Sequence, residues 1–268
     1  MEKITSRQNR IVRDAAALLS FPEERRHRGE FLCEGARLCE DAVRSGVEVL
    51  RCFVTQQAME KYARYVQPVL KAGREQYLVA DHVAELLSDT RHPQGVFCQC
   101  RRPRGLGELP ALGDGSLAVL EDLQDPGNLG TILRTAEALG VDRVILLGDC
   151  CDPLSPKVLR ASMGAVFRLR IGLEADSPAL CSRLEQAGYG LLASVPDNTK
   201  PPVTSVDFSG QKWAVFIGNE GNGLRPDTIA RCRPVTIPMA GRAESLNASA
   251  AATILLWEMA RGGGKAHG

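Results

Sequence analysis

The chain has 268 residues, 44% of them hydrophobic and 24% charged, with a net charge of +1. That is the composition of an ordinary globular protein of about two domains, long enough to bury a core without disulfides or metal. It excludes a disordered chain, a collagen and a coiled-coil rod, and no stretch nears the ~18 uninterrupted apolar residues of a membrane span.

The start, MEKITSRQNRIVRD, has no apolar segment of the secretory type, so no leader is expected. Apolar spacing predicts a helix over 9–19. A short strand at 30–33, a helix at 36–43 and a β-rich run at 49–54 follow. Residues 58–72 read as helix, 76–79 as strand, 81–87 as helix and 95–100 as strand. Such alternation predicts a small α/β domain over 1–104. Then RRPRGLGELPALGDGS replaces apolar periodicity with Pro, Gly and charge, which places a linker at 105–116.

From 117 to 268 the alternation is clearer, and a second domain is expected. Residues 117–123 form a continuous apolar run ending in acids, as a buried parallel strand does. A helix is predicted at 128–139, with Asn128 able to cap it, and a strand at 143–147. Next come a helix at 156–166 after a possible cap at Ser155, an edge strand at 168–171, and a helix at 177–187. Strands at 190–195, 213–217 and 235–238, a short helix at 226–232 and a long one at 246–260 complete the pattern. A parallel sheet covered by helices results, and its ligand belongs outside the carboxyl ends of the strands.

Nine cysteines, an odd number with no CxxC pair, do not form a zinc pattern. They read as free, partly buried thiols, which suits a reducing cytoplasm, and no metal is expected. Charge is uneven: the first 104 residues carry +4 and the remainder −3. The basic excess gathers at Arg7, Arg10, Arg13, Arg25, Arg26 and Arg28. Such a cluster suits a polyanion, because each phosphate contact releases counterions, although a solvated helix face would look the same.

Three segments at predicted strand ends break their local pattern in ways that suit a ligand. In DPGNLGTILRTAEALG a Pro-Gly turn opens a helix carrying Arg134 nearly two turns in. In FIGNEGNGL three glycines surround the carboxylate Glu220. This is neither GxGxxG nor a P-loop, and the acid suits a neutral or cationic ligand better than a phosphate. In IPMAGRAESLNASAA a glycine loop leads to a helix opening with Ser245 and Asn247, both strong capping types.

Together, in this order and spacing, the three segments resemble the SpoU/TrmH-type RNA 2′-O-ribose methyltransferases of the SPOUT superfamily. The resemblance spans 117–261. The front half, with EFLCEGARLCEDAVRSG, more weakly resembles the small ribosomal-protein-like RNA-binding domain of many relatives. The resemblance implies an α/β fold with a C-terminal trefoil knot, S-adenosylmethionine bound bent within it, and a homodimer whose active site draws on both subunits. It places Gly218, Ile237 and Leu246, with Ser194, around the cofactor. It makes Asn128, Arg134, Glu220, Ser245 and Asn247 the catalytic set. The implied reaction is methyl transfer to a ribose 2′-hydroxyl, with 23S ribosomal RNA as substrate. A tRNA methyltransferase and a catalytically silent RNA-binding knot protein stand as alternatives. A nucleotide-dependent oxidoreductase is disfavoured by the missing GxGxxG.

Overall fold

The computed structural model describes residues 1–263, so the last five residues of the expected second domain lie outside the described residues. The chain divides into two compact units. One comprises Met1–Arg104 together with Asp152–Phe167; the other comprises Gly105–Cys151 and the chain from Arg168 onward.

The first unit contains β1 (Glu2–Ile4), α1 (Arg10–Ser20), α2 (Pro22–Arg28), β2 (Glu30–Glu34), α3 (Ala36–Arg44) and β3 (Val49–Val54). It continues with α4 (Gln56–Lys61), α5 (Ala63–Ala72), β4 (Glu75–Val79), α6 (Asp81–Ala84) and β5 (Val96–Arg101). Its sheet runs β1-β4-β3-β5-β2, with β5 antiparallel to both neighbours and the other pairs parallel. Period-two alternation separates the two faces. Leu32, Phe53 and Phe97 point toward α1 in one core. Cys33, Cys52, Cys98 and Cys100 occupy the opposite face, where the Cys39 thiol of α3 donates to the Cys33 carbonyl and the Cys52 thiol donates to that of Val69 in α5. These thiols act as small hydrophobes, and all nine cysteines are free. Two elements, β1 and α2, were not predicted, and the helix expected over 58–72 divides at Tyr62, whose ψ of 26° leaves the helical region.

In the second unit, β6 (Leu117–Glu121), α7 (Pro126–Ala138) and β7 (Arg143–Leu147) come first. The chain then contributes α8 (Pro156–Ser162) to the first unit and returns. Next are β8 (Arg170–Glu174), α9 (Ser177–Gln186), β9 (Tyr189–Ser194), β10 (Lys212–Ile217), α10 (Pro226–Arg231), β11 (Arg233–Val235) and α11 (Ala248–Gly262). All six strands are parallel, in the order β11-β9-β10-β6-β7-β8. The central strands β6 and β7 are buried along their whole length, which explains their unbroken apolar runs.

Three expectations change. The segment Asp152–Phe167, placed by sequence in the second domain, packs within the first unit, where the Phe167 ring lies 5.8 Å from that of Phe31. The helix expected over 156–166 stops at Ser162, because Met163 adopts a left-handed conformation, and Ser155 makes no side-chain cap. The stretch 105–116, expected as a linker, is pinned down: Gly107 hydrogen-bonds the backbone of Ile171 and Leu173 beside β8. The Arg143 guanidinium donates to the Gly115 carbonyl and the Tyr189 hydroxyl.

Candidate active site

Because every strand of the second sheet points the same way, the loops after β6, β10 and β11 emerge at one end of it. They carry the three sequence motifs. Asp125, not Asn128, caps α7: its carboxylate accepts from the Asn128 N–H at 2.8 Å, with Pro126 at the first helical position. That leaves the Asn128 side chain free for other work. Its Nδ2 donates to Glu220 Oε1 at 3.0 Å, and its Oδ1 accepts from Asn247 Nδ2 at 3.0 Å. The Asp125 N–H also reaches Glu220 Oε1 at 3.3 Å. Asn247 in turn caps α11, its Oδ1 accepting from the Ser249 and Ala250 N–H groups. One hydrogen-bonded chain, Asn247 to Asn128 to Glu220, thus joins all three motifs.

Beside it lies a cavity of about 340 Å³. Ser194, Gly218, Ile237 and Leu246 all line it, as do Glu220 and Ser245. Gly218 has to be glycine here: a Cβ would stand 2.2 Å from the Gly223 carbonyl carbon and 2.3 Å from Leu224 N. The chain therefore folds back on its own backbone to form the floor of the cavity.

Arg134 is not brought into this cluster. It is exposed on α7, six residues and about 9 Å of helix rise beyond Asn128. It shares an exposed stripe with Thr131 and Ala138.

Residues outside the predicted set also shape the site. Asn219 donates to the Asp122 carbonyl at 2.7 Å, and its Oδ1 accepts from the Gly221 and Asn222 N–H groups. It therefore folds the glycine loop and ties it to the end of β6. Asp122 sits at φ 52°, a conformation that Asp tolerates better than most residues. Its carboxylate accepts twice from Arg225, at 2.7 and 2.5 Å, and once from the Asp149 N–H at 2.8 Å. The Arg225 hydrogen bonds hold the Asp122 carboxyl below the usual carboxylate range, while that carboxylate raises Arg225. Beneath them the fully buried Glu121 accepts from Thr228 Oγ1 and Arg225 N. The repeated Asn and Gly of GNEGNG were the only sequence signal of this scaffold, since the Asp122–Arg225 pair spans 103 residues.

The predicted RNA-contact arginines fare unevenly. Arg25 is buried, with Nε on Asp152 at 2.6 Å and Nη1 on the Leu18 and Leu19 carbonyls, so it is a structural brace unavailable to phosphate. Arg28 is likewise engaged, by the Asp14 carbonyl and Glu30. Arg7 and Arg10 form only loose exposed pairs, at 3.6 and 3.8 Å. Arg13 and Arg26 are exposed.

Residues 116–257 match the SpoU rRNA Methylase family, and residues 9–98 match an MRM3-like substrate binding domain. The chain belongs to the SpoU rRNA methylase family. It is 35% identical to an uncharacterized tRNA/rRNA methyltransferase of Synechocystis, over 96% of this chain and 93% of that one. Identity to a 23S rRNA (uridine(2479)-2′-O)-methyltransferase of Streptomyces viridochromogenes is 33%, over 97% and 92% of the two chains. The AdoMet-bound crystal structure of an rRNA methyltransferase from Sinorhizobium meliloti superposes with a TM-score of 0.83 at 30% identity, covering 97% of each chain. Like its family, the protein is an S-adenosylmethionine-dependent RNA 2′-O-methyltransferase. The cavity suits that cofactor: Ile237 and Leu246 offer apolar walls to adenosine, and the Glu220 carboxylate suits a sulfonium cation.

Proposed function

We propose that this SpoU methylase modifies a ribose 2′-hydroxyl of 23S ribosomal RNA, in the cytoplasm and as a homodimer. The observation that carries the reading is the Asn247–Asn128–Glu220 chain beside a cavity lined by Ser194, Gly218, Ile237 and Leu246. S-adenosylmethionine supplies the methyl group on a sulfonium, and its displacement is in line, so positioning provides much of the rate.

In this reading the backbone at Gly218, the side chains of Ile237 and Leu246, and Ser194 hold the donor's adenosine end within a C-terminal knot. Asn128 and Asn247 fix the Glu220 carboxylate in one orientation. Ser245 holds the ribose or the methionine end. A guanidinium offers only donors, in a planar fork, so Arg134 clamps a phosphate and orients the attacking hydroxyl.

The exposed position of Arg134 supports a role across a dimer. Helix α11 packs on α7 and carries its own exposed stripe of Ala250, Ile254 and Trp257, the last 54% exposed. A contiguous apolar stripe of this kind suits a two-fold interface. The small residues Ala248 and Ala252 of the same helix are buried within the fold and lie off this stripe. Each Arg134 would then serve the partner's cavity.

Labelled S-adenosylmethionine with 23S rRNA, followed by mapping of ribose methylation, tests the reading. One new 2′-O-methyl nucleotide in 23S rRNA is expected, and label confined to tRNA would overturn it. Arg134→Ala should lower turnover at least ~100-fold with donor binding retained. Mixing Arg134→Ala with Glu220→Ala protein should restore part of the activity, because one site of the mixed dimer is intact. No recovery would place Arg134 in its own subunit's site.

A further inference from the structure

The first unit holds a second cavity, of about 380 Å³, that none of the methyltransferase motifs touches. Its volume lies within the ~300–1,000 Å³ range of small-ligand pockets. We infer that it receives one unpaired, extruded nucleotide of the RNA substrate; this rests on the functional reading above.

The cavity is rigidly built. Glu34 at the end of β2 is buried, and its carboxylate accepts from Ser88 Oγ, Thr90 Oγ1 and the Asp89 N–H. Arg160 of α8 lies 3.8 Å from Glu34 and pairs with Asp89 at 2.7 Å. The loop 88–90 is thereby fastened on both sides. At the base, the Ala36 N–H opening α3 donates to Gln94 Oε1 at 2.9 Å. Gly35 stands at φ 104°, a conformation that favours glycine, and adds no side chain to the space. A pre-ordered pocket loses little entropy when it binds.

Its walls suit a nucleobase. Leu38 and Met163 present apolar surface. Met163 is 41% exposed and holds φ 50° at the end of α8, a strained placement for a large side chain. Strain of this kind persists where a surrounding structure enforces it, often at a binding site. Arg160 also lines the cavity; its buried Nη1 makes no hydrogen bond and faces Glu34 at 3.8 Å.

The rim suits phosphate. Arg37 and His92 line the mouth, and Arg91 adjoins it. All three are exposed, and among the described residues no carboxylate pairs with them. Against them stands Asp41, since Glu34 and Asp89 are already engaged. Sequence-specific RNA readers take splayed single-stranded bases against flat or apolar side chains, with cations on the backbone. A cavity walled by Leu38 and Met163 and rimmed by these cations has that form. It also lies in the unit that matches a substrate-binding domain.

The test uses full-length protein and a transcribed 23S rRNA containing 4-thiouridine. Photo-crosslinks should map to residues 89–94 and 160–164. Arg37→Ala/His92→Ala should weaken 23S rRNA binding about tenfold and flatten its salt dependence by roughly 0.7 log units per lost contact. Met163→Glu should weaken it without removing a cation. Donor binding by calorimetry and the melting temperature should stay at wild-type values, and affinity for a fully paired RNA duplex should barely change. Crosslinks elsewhere, wild-type 23S rRNA affinity in both variants, or equal losses on the duplex would overturn the assignment. If the wild-type protein transferred no methyl to 23S rRNA, the functional reading would fall, while the crosslinks would still decide the cavity.

Discussion

Both units are α/β, yet they distribute their polar groups differently. In the second, all six strands run one way, so every loop that follows a strand emerges at one end. Glu121, Asp122, Asn128, Asn219 and Glu220 accumulate there, held with Arg225 and Thr228 by hydrogen bonds across 92 to 107 residues of sequence. In the first, β5 runs against its neighbours, so strand ends face both ways and polar groups spread. There a buried arginine braces the fold and a separate cavity opens at the end of β2. A parallel sheet concentrates chemistry; a mixed one distributes surface for binding.

The comparison breaks most visibly if the units are cut apart. A fragment starting near Gly113 keeps all three motifs but also α8, whose Val158 and Leu159, with Val166 and Phe167, are buried within the first unit. Exposing them should leave the fragment aggregated or able to bind S-adenosylmethionine only weakly. A monodisperse fragment with full donor affinity would show that α8 is dispensable to the second unit.

Arginine 25 tests the first unit alone. Arg25→Ala strands Asp152 and two carbonyls, and removing one partner of a buried pair costs about 3 kcal/mol. Arg26→Ala, on the exposed side of the same helix, should change stability by less than about 0.5 kcal/mol. Urea unfolding of both variants distinguishes brace from surface charge; equal effects would erase the distinction.

Asparagine 219 sharpens the account of the second unit. Asn219→Asp keeps the oxygen that folds the glycine loop but loses the donor to Asp122, whereas Asn219→Ala loses both. Donor affinity should fall about tenfold in the alanine variant, as expected for hydrogen bonds worth about 1 kcal/mol each, and less in the aspartate variant. If calorimetry found both unchanged, the tether would not shape the cavity.

The smallest effect concerns pH. The folded-state value of Asp122 is depressed, so its contribution is complete above the ordinary value near 3.8 and is lost as pH falls through the lower folded one. Asp122→Asn should therefore flatten the acid-side decline in stability, by no more than about 1 kcal/mol because the pair is partly exposed. A wild-type slope below pH 4 in that variant would assign the decline to other carboxylates.

Much of this molecule is local and so legible in the sequence. The unbroken apolar runs of β6 and β7, the helix period of α1 and the cap at Asn247 depend on neighbours within a few residues. The three motifs, taken together, mark the family from sequence alone. The capping of α7 was misassigned to Asn128 because Asp125 and Asn128 are both good caps, and only the pull of Glu220 on the Asn128 amide separates their roles. Arg25 looked like its exposed neighbours because its partner Asp152 lies 127 residues away. The membership of α8 in the first unit was invisible for the same reason: an amphipathic helix shows that it buries a face, not against what. Local periodicity and capping determined the elements and their order. Which arginines stay free, which asparagine caps and which helix joins which core were decided by contacts between residues far apart in the chain, made only when the fold closes.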